Sequence, residues 1–289
     1  MRYPSPLENP VITNCNKPLA TVTYGIPNMD YNNTSSLTND YVYGVEGIEI
    51  DMRKTVAYAF TNGLDNSSVL MGQAIKSLAN SPSALFFWDA DQVLNGNASM
   101  IARRLINDRH LIGIQYNLNL TEPTNSTKEQ FLNHLDTIST KIAEAISYSY
   151  FPAYLTFKYN TSNPDGDRIR DMYINYASYK GFYTIISDFA PEVNATNLNN
   201  MLLNYEIRFK SNYTSAIAIH NGQYDSLFKY TDINATLSVL NANNVSVISF
   251  KDCVEPRAYR NPREWEPQRG NALNTIVSMV TIVLITHLV

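Results

Sequence analysis

Between residues 55 and 250 the chain alternates between short apolar runs and longer stretches with helical spacing. Runs of strand length fall at 56–60, 84–88, 111–116, 153–157, 183–187, 216–220 and 246–250, rich in Val, Ile, Phe and Tyr. Between them lie single-faced apolar patterns. The clearest spans 126–147, with Phe131, Leu135, Ile138, Ile142 and Ile146 on one face and a capping box expected at Ser126 and Glu129. Other faces carry Leu70, Ala74, Ile75 and Leu78; Ile101, Leu105 and Ile106; Ile169, Met172 and Tyr176. Two more carry Leu198, Met201, Leu202 and Tyr205, then Ile233, Leu237 and Leu240. Near-continuous apolar strands separated by helices predict a parallel sheet covered by helices, an α/β fold. Seven such units without G-x-G-x-x-G or a Walker loop favour a barrel over a doubly wound nucleotide fold.

In a barrel, the residues just past each strand share one rim, and chemistry gathers there. Read in order, the strand ends are Thr61/Asn62, Asp89/Asp91, Gln115/Asn117/Asn119, Thr156/Lys158, Asp188, His220/Asn221 and Lys251/Asp252. The first follows a strand, in "TVAYAFTNGL", where Asn62-Gly63 is a strong turn signal. That position offers a hydroxyl and an amide, and no charge.

Composition narrows the function classes. Charged residues are 17% of 289, the formal net charge is −4, and no basic run outside the C-terminal region exceeds a dipeptide. Nucleic acid is therefore not an expected partner. The missing polarity is supplied by 34 asparagines, eleven of them in N-x-[ST] sequons at Asn32, Asn33, Asn66, Asn97, Asn119, Asn125, Asn160, Asn194, Asn212, Asn234 and Asn244. Those sequons are glycosylation acceptors only in a secreted chain; an Asn-, Ser- and Thr-rich sequence also makes them by chance. The two cysteines, Cys15 and Cys253, form either a disulfide or two buried thiols, and the secretory hints favour the disulfide. Residues 276–289, "IVSMVTIVLITHLV", carry no charge and follow an Arg- and Pro-rich segment. They fit a GPI-attachment signal or a tail anchor, or else a plain helix. The segment Met1-Arg2-Tyr3-Pro4 is not a secretory signal, so a trimmed or atypical start is expected.

The order of the rim residues and their flanks resemble the polysaccharide deacetylases, specifically the chitin deacetylases of carbohydrate esterase family 4 (the NodB-homology domain). The resemblance runs from about Thr55 to Arg260 and rests on "ALFFWDADQVLNGNASMIARRLINDRHLIG", "SAIAIHNG" and "VSVISFKDCVEPRAYR". It implies a distorted (β/α)7-type barrel and metal-assisted amide hydrolysis, with zinc or another divalent ion held by one aspartate and two histidines. A second aspartate is the general base and a later histidine the general acid.

Carried over position by position, that machinery is missing. The family's base and metal aspartate correspond to Thr61 and Asn62, and its two metal histidines to Gln115 and Asn119. Its orienting-arginine motif becomes Thr156-Phe157-Lys158-Tyr159, and its paired aspartates leave only Asp188 nearby. The general-acid histidine survives as His220, followed by Asn221, and without a partner His220 reads as a hydrogen-bonded core histidine. Asp89-Ala90-Asp91 reads as an Asx turn, Lys158 as filling the vacated charge or as a solvated lysine, and His110 and His134 as structural. The expectation is a rim with no catalytic residue and no bound metal, because amide oxygens are poor substitutes for carboxylate and imidazole.

Three functional readings follow. The first is a deacetylase-fold pseudoenzyme at the cell surface or wall, exported and membrane-anchored at its C-terminus, binding chitin or another wall polysaccharide or serving structurally. The second is an active metal-dependent hydrolase using non-standard residues on an N-acetylated polysaccharide. The third is an adhesive module whose rim is idle. The expected organisation is a loop-rich lead-in at 1–50, the deacetylase-like domain at 51–260, and a linker with apolar tail at 261–289.

Overall fold

The computed structural model describes residues 10–13, 15, 42–43, 49–50, 54–78, 80–118, 124–146, 152–159, 162–187, 189–191, 196–210, 215–221 and 232–254. Three two-residue strands come first: β1 (Val11–Ile12), β2 (Val42–Tyr43) and β3 (Glu49–Ile50). The expected alternation then begins with β4 (Lys54–Thr61), α1 (Asn66–Lys76) and β5 (Leu85–Asp89). It continues through α2 (Ala90–Leu94), α3 (Ser99–Asn107), β6 (Leu111–Asn117), α4 (Asn125–Ala145), β7 (Tyr154–Lys158) and α5 (Gly166–Ser178). The remaining elements are β8 (Tyr183–Ile185), α6 (Leu198–Lys210), β9 (Ser215–Asn221), α7 (Asp232–Ala242), β10 (Val245–Val247) and α8 (Phe250–Cys253).

All pairings in the main sheet are parallel, in the order β1-β8-β7-β6-β5-β4. Strand β9 runs along β4 from Thr55 to Thr61. Because β9 fills one edge of β4, the other is shared: β10 pairs at Lys54 to Val56, and β5 further along at Ala59 and Phe60. Past β8, Phe189 forms a parallel bridge to Ala218, and the Ile219 N–H donates to the Phe189 carbonyl at 3.1 Å. That bridge brings the far end of the sheet round to β9 and curls it into a distorted barrel.

Strand alternation sorts side chains into two layers. Ala57, Ala59, Leu85, Phe87, Tyr154 and Ile217 fill the barrel, all buried. Val56, Tyr58, Phe60, Phe86, Trp88, Ile112 and Ile114 point outward under the helices. The interior has no slack at β6, where a Cβ on Gly113 would stand 2.7 Å from the Phe87 ring and 3.0 Å from the Tyr154 carbonyl.

Several expectations are corrected. Strand β1, which had not been expected, extends the sheet, with the Thr184 N–H donating to the Pro10 carbonyl and the Ile186 N–H to the Ile12 carbonyl. The capping box of α4 is made by Thr124 and Thr127, two residues before the expected pair; each threonine's backbone N–H donates to the other's hydroxyl. Phe131, Leu135, Ile138, Ile142 and Ile146 are all buried as expected. On α1, Leu70 is half exposed, and Met71, Ala74 and Ile75 form the buried stripe. The seventh apolar run stops at Val247, because Ser249 becomes the N-cap of α8.

The disulfide is present: Cys15 bonds Cys253 across a sequence separation of 238, tying the N-terminal segment to α8. His110 is a second tie. Its Nδ1 accepts from the Ala84 N–H at 3.1 Å, so its Nε2 carries the proton that goes to the Gly72 carbonyl at 3.0 Å. Burial, the largest cause, lowers its pKa to about 4, which keeps the ring neutral. Among the described residues, no helix is long and apolar enough to cross a membrane. The tail at 276–289 lies outside the described residues.

Candidate functional site

The barrel mouth is built at the strand ends. Strand β4 ends in a turn in which Asn62 has φ +67° and Gly63 φ +91°. Asparagine tolerates the left-handed region, and glycine meets no steric penalty there. Helix α2 braces this turn: Gln92 Oε1 accepts from the Leu64 N–H at 3.2 Å, and a Cβ on Gly63 would stand 2.8 Å from Gln92 Nε2.

At the centre lies a reciprocal amide pair. The Asn62 backbone N–H donates to Gln115 Oε1 at 2.5 Å, and Gln115 Nε2 donates to Asn62 Oδ1 at 3.0 Å. Gln115 is only 2% exposed. Strands β4 and β6 are not neighbours, so the pair bridges over the end of β5. Both side-chain oxygens thus accept hydrogen bonds from within the rim.

The hydroxyls are also committed. Thr61 Oγ1 donates to the His220 carbonyl and Thr156 Oγ1 to the Ile185 carbonyl, each at 3.2 Å. Asn221 is paired in register with Thr61, and Lys158, beside Asn117 in the ladder, is exposed. Asp89 caps α2 through the Asp91 N–H at 3.0 Å, the expected Asx turn. Asn117 Nδ2 then donates to Asp91 Oδ2 at 3.1 Å and to Asp89 Oδ2 at 3.4 Å. Asn119 and Asp188 lie outside the described residues.

His220 does not belong with this group. It is fully buried on the outer, helix-facing side of β9, where Tyr205 Oη lies 2.6 Å from its Nε2. Its ring stacks 5.9 Å from Phe60 and 6.0 Å from Tyr205. The alternation of β9 puts Asn221, not His220, on the rim face. The structure therefore gathers Thr61, Asn62, Gln115 and Thr156 near the mouth and removes His220 to the core.

Among the described residues, no group of three or more His, Cys, Asp or Glu could hold a metal ion. At the two described ligand positions, Asn62 and Gln115, the donors are neutral amides already paired with each other, a set that does not fit a divalent transition-type ion. Sequence reasoning missed Gln92 and Tyr205, whose roles arise from contacts made only in the folded chain. It also missed a groove beside the mouth. Tyr116 Oη lies 2.9 Å from His134 Nδ1, at the edge of a cavity of about 620 Å³ between the end of β6 and α4.

No family model matches the chain, and no curated protein is similar to it in sequence. Solved structures do match. A mutant of BA3943 from Bacillus anthracis, described as a CE4 family pseudoenzyme with restored enzymatic activity, aligns with a TM-score of 0.53. The identity is 13%, over 70% of this chain and 67% of that one. The fold is that of carbohydrate esterase family 4. The family 4 domain of a multidomain xylanase from the hindgut metagenome of Trinervitermes trinervoides matches with TM-score 0.51 and 13% identity, over 70% of this chain and 89% of its own. The chitin deacetylase of the fungal pathogen Colletotrichum lindemuthianum gives TM-score 0.51 and 12% identity, over 74% and 91%. At such identities the likeness to family 4 esterases is one of fold, and the curled parallel sheet is what they share.

Proposed function

We propose that this chain is a non-hydrolytic member of carbohydrate esterase family 4, acting at the cell surface or wall as a carbohydrate-binding or structural protein. The observation that carries the reading is the Asn62–Gln115 amide pair. It occupies the place where the resembled family sets a metal carboxylate and a metal histidine, and neutral amides supply neither a strong ligand nor a general base. A protein on the same fold described as a pseudoenzyme is a precedent for a non-hydrolytic member. The buried Cys15–Cys253 disulfide supports an exported protein, since such bonds persist in oxidising compartments. In this reading, residues 51–260 form the deacetylase-like unit, and the apolar 276–289 segment seeks the membrane as a GPI signal or a tail anchor.

The test is acetate release from N-acetylglucosamine oligomers, with the full chain supplied with zinc or cobalt. The expected result is release no faster than the protein-free control. Metal-dependent release above it would overturn the reading in favour of a hydrolase using other residues. Asp89 and Asp91, held together by Asn117 at the same rim, would then be the first to substitute.

A further inference from the structure

We propose that the groove between the end of β6 and the outward face of α4 is a binding site for a neutral, hydroxyl-rich ring ligand, a pyranose unit of an oligosaccharide. The inference rests on the carbohydrate-binding reading above and places that binding beside the mouth, not in it. The mouth is closed by its own amide pair, whereas the groove is an open cavity of about 620 Å³, in the range of small-molecule sites.

Its lining is chemically selective. Tyr116, Phe131 and Tyr173 form an edge-to-face stack, with centroids 5.1 Å apart at 88° and 4.8 Å apart at 86°. Around them, α4 sets Gln130, Asn133 and His134, with the two amide residues exposed to solvent. None of the described residues lining it is Asp, Glu, Lys or Arg. Among the described lining residues a phosphate or carboxylate ligand would find no cation, and the Asp89 and Asp91 carboxylates beyond Asn117 are engaged by its amide. A purely apolar ligand would leave the amides and the imidazole without partners.

A pyranose satisfies both halves of the lining, its C–H face lying against the half-buried Tyr116 ring, behind which Phe131 and Tyr173 are buried, and its hydroxyls both donating to and accepting from amides. Tyr116 and His134 bond each other through Oη and Nδ1, and no described residue partners His134 Nε2, which leaves it available to a hydroxyl. Burial raises the Tyr116 hydroxyl to about 12, so it remains a neutral partner across the physiological range. The groove adjoins the mouth at Asn117, so a chain of sugars seated in it would extend toward the rim.

The experiment is titration of the isotope-labelled chain with cellotetraose, xylotetraose and chitotetraose to millimolar concentration, following amide chemical shifts. At least one tetrasaccharide is expected to shift residues 116–118 and 130–137. The double variant Gln130→Ala, Asn133→Ala should weaken that binding about tenfold or more, as loss of two hydrogen bonds implies. Both positions are exposed on a helix, where alanine is well tolerated, so the variant keeps its fold. Shifts confined to Thr61, Asn62 and Asn221, or an unchanged affinity in the double variant, would overturn the groove while leaving carbohydrate binding intact. Absence of shifts with all three tetrasaccharides would overturn the groove and the carbohydrate-binding reading together, without touching the non-hydrolytic one.

Discussion

Acidification from pH 7 to pH 4 is expected to remove about 3 kcal/mol of stability through His110 alone. The imidazole is held neutral between a donor, the Ala84 N–H, and an acceptor, the Gly72 carbonyl. Protonating Nδ1 would set an N–H against the Ala84 N–H, where the buried ring lies between Ala84 and Gly72 of α1. Burial depresses the folded pKa from 6.5 to about 4. The unfolded chain therefore binds the proton first. The contribution is complete above pH 6.5, declines as the pH falls, and is gone near pH 4; each pH unit is worth about 1.4 kcal/mol. The assay is urea unfolding at several pH values between 7 and 4, on the native chain and on His110→Gln. The variant starts lower at pH 7, and its curve should lack about 3 kcal/mol of the native pH dependence. Imidazole carbon shifts offer a direct check, with the Nε2–H tautomer expected to persist to about pH 5. Parallel stability curves for the two chains, or an imidazole that titrates near 6.5, would refute the reasoning.

Other perturbations test other parts of the fold. Replacing Cys15 and Cys253 by serine opens a loop with a sequence separation of 238, and the chain-entropy model gives a loss of about 5 kcal/mol. Thermal unfolding with and without reductant measures that loss, and equal midpoints would contradict it. Gly113→Ala forces a methyl against Phe87 and the Tyr154 carbonyl, so a loss of about 1–3 kcal/mol is expected from overpacking. A urea midpoint matching the native chain would show that the barrel interior yields. Gln115→Leu leaves the Asn62 N–H and Oδ1 without their partners, at a cost of about 1–3 kcal/mol. An unchanged denaturant midpoint would mean the pair contributes nothing to the mouth.

Much of the architecture was legible because the strands are nearly continuous apolar runs and the helices carry single stripes. All seven runs contain observed strands, and the long amphipathic helix is α4. What the sequence hid was the geometry that tertiary contacts decide. Val11 and Ile12 are too short a run to signal a strand, and they become one only by pairing with Thr184 and Ile185. The α4 cap shifted because threonines at both 124 and 127 can bond reciprocally, which leaves Ser126 and Glu129 inside the helix. His220 is the hydrogen-bonded core histidine expected, through Tyr205, but its strand did not by itself declare a face. "SAIAIHN" is apolar at nearly every position, so alternation does not declare a face until its register with β4 is known. Among the expected site residues, the reciprocal bonding of Asn62 with Gln115 emerged only from the fold. The groove at Tyr116 and His134 carries no sequence signal, because two residues 18 apart meet only through the packing of α4 on β6.

The central claim is that the mouth of this barrel no longer holds a divalent ion. Isothermal titration of zinc into the purified full chain at pH 7 tests it most directly. The account predicts no saturable site in the micromolar range and no change in heat on substituting Asn62 or Gln115 by alanine. One zinc bound per chain with micromolar affinity, lost in either variant, would contradict it.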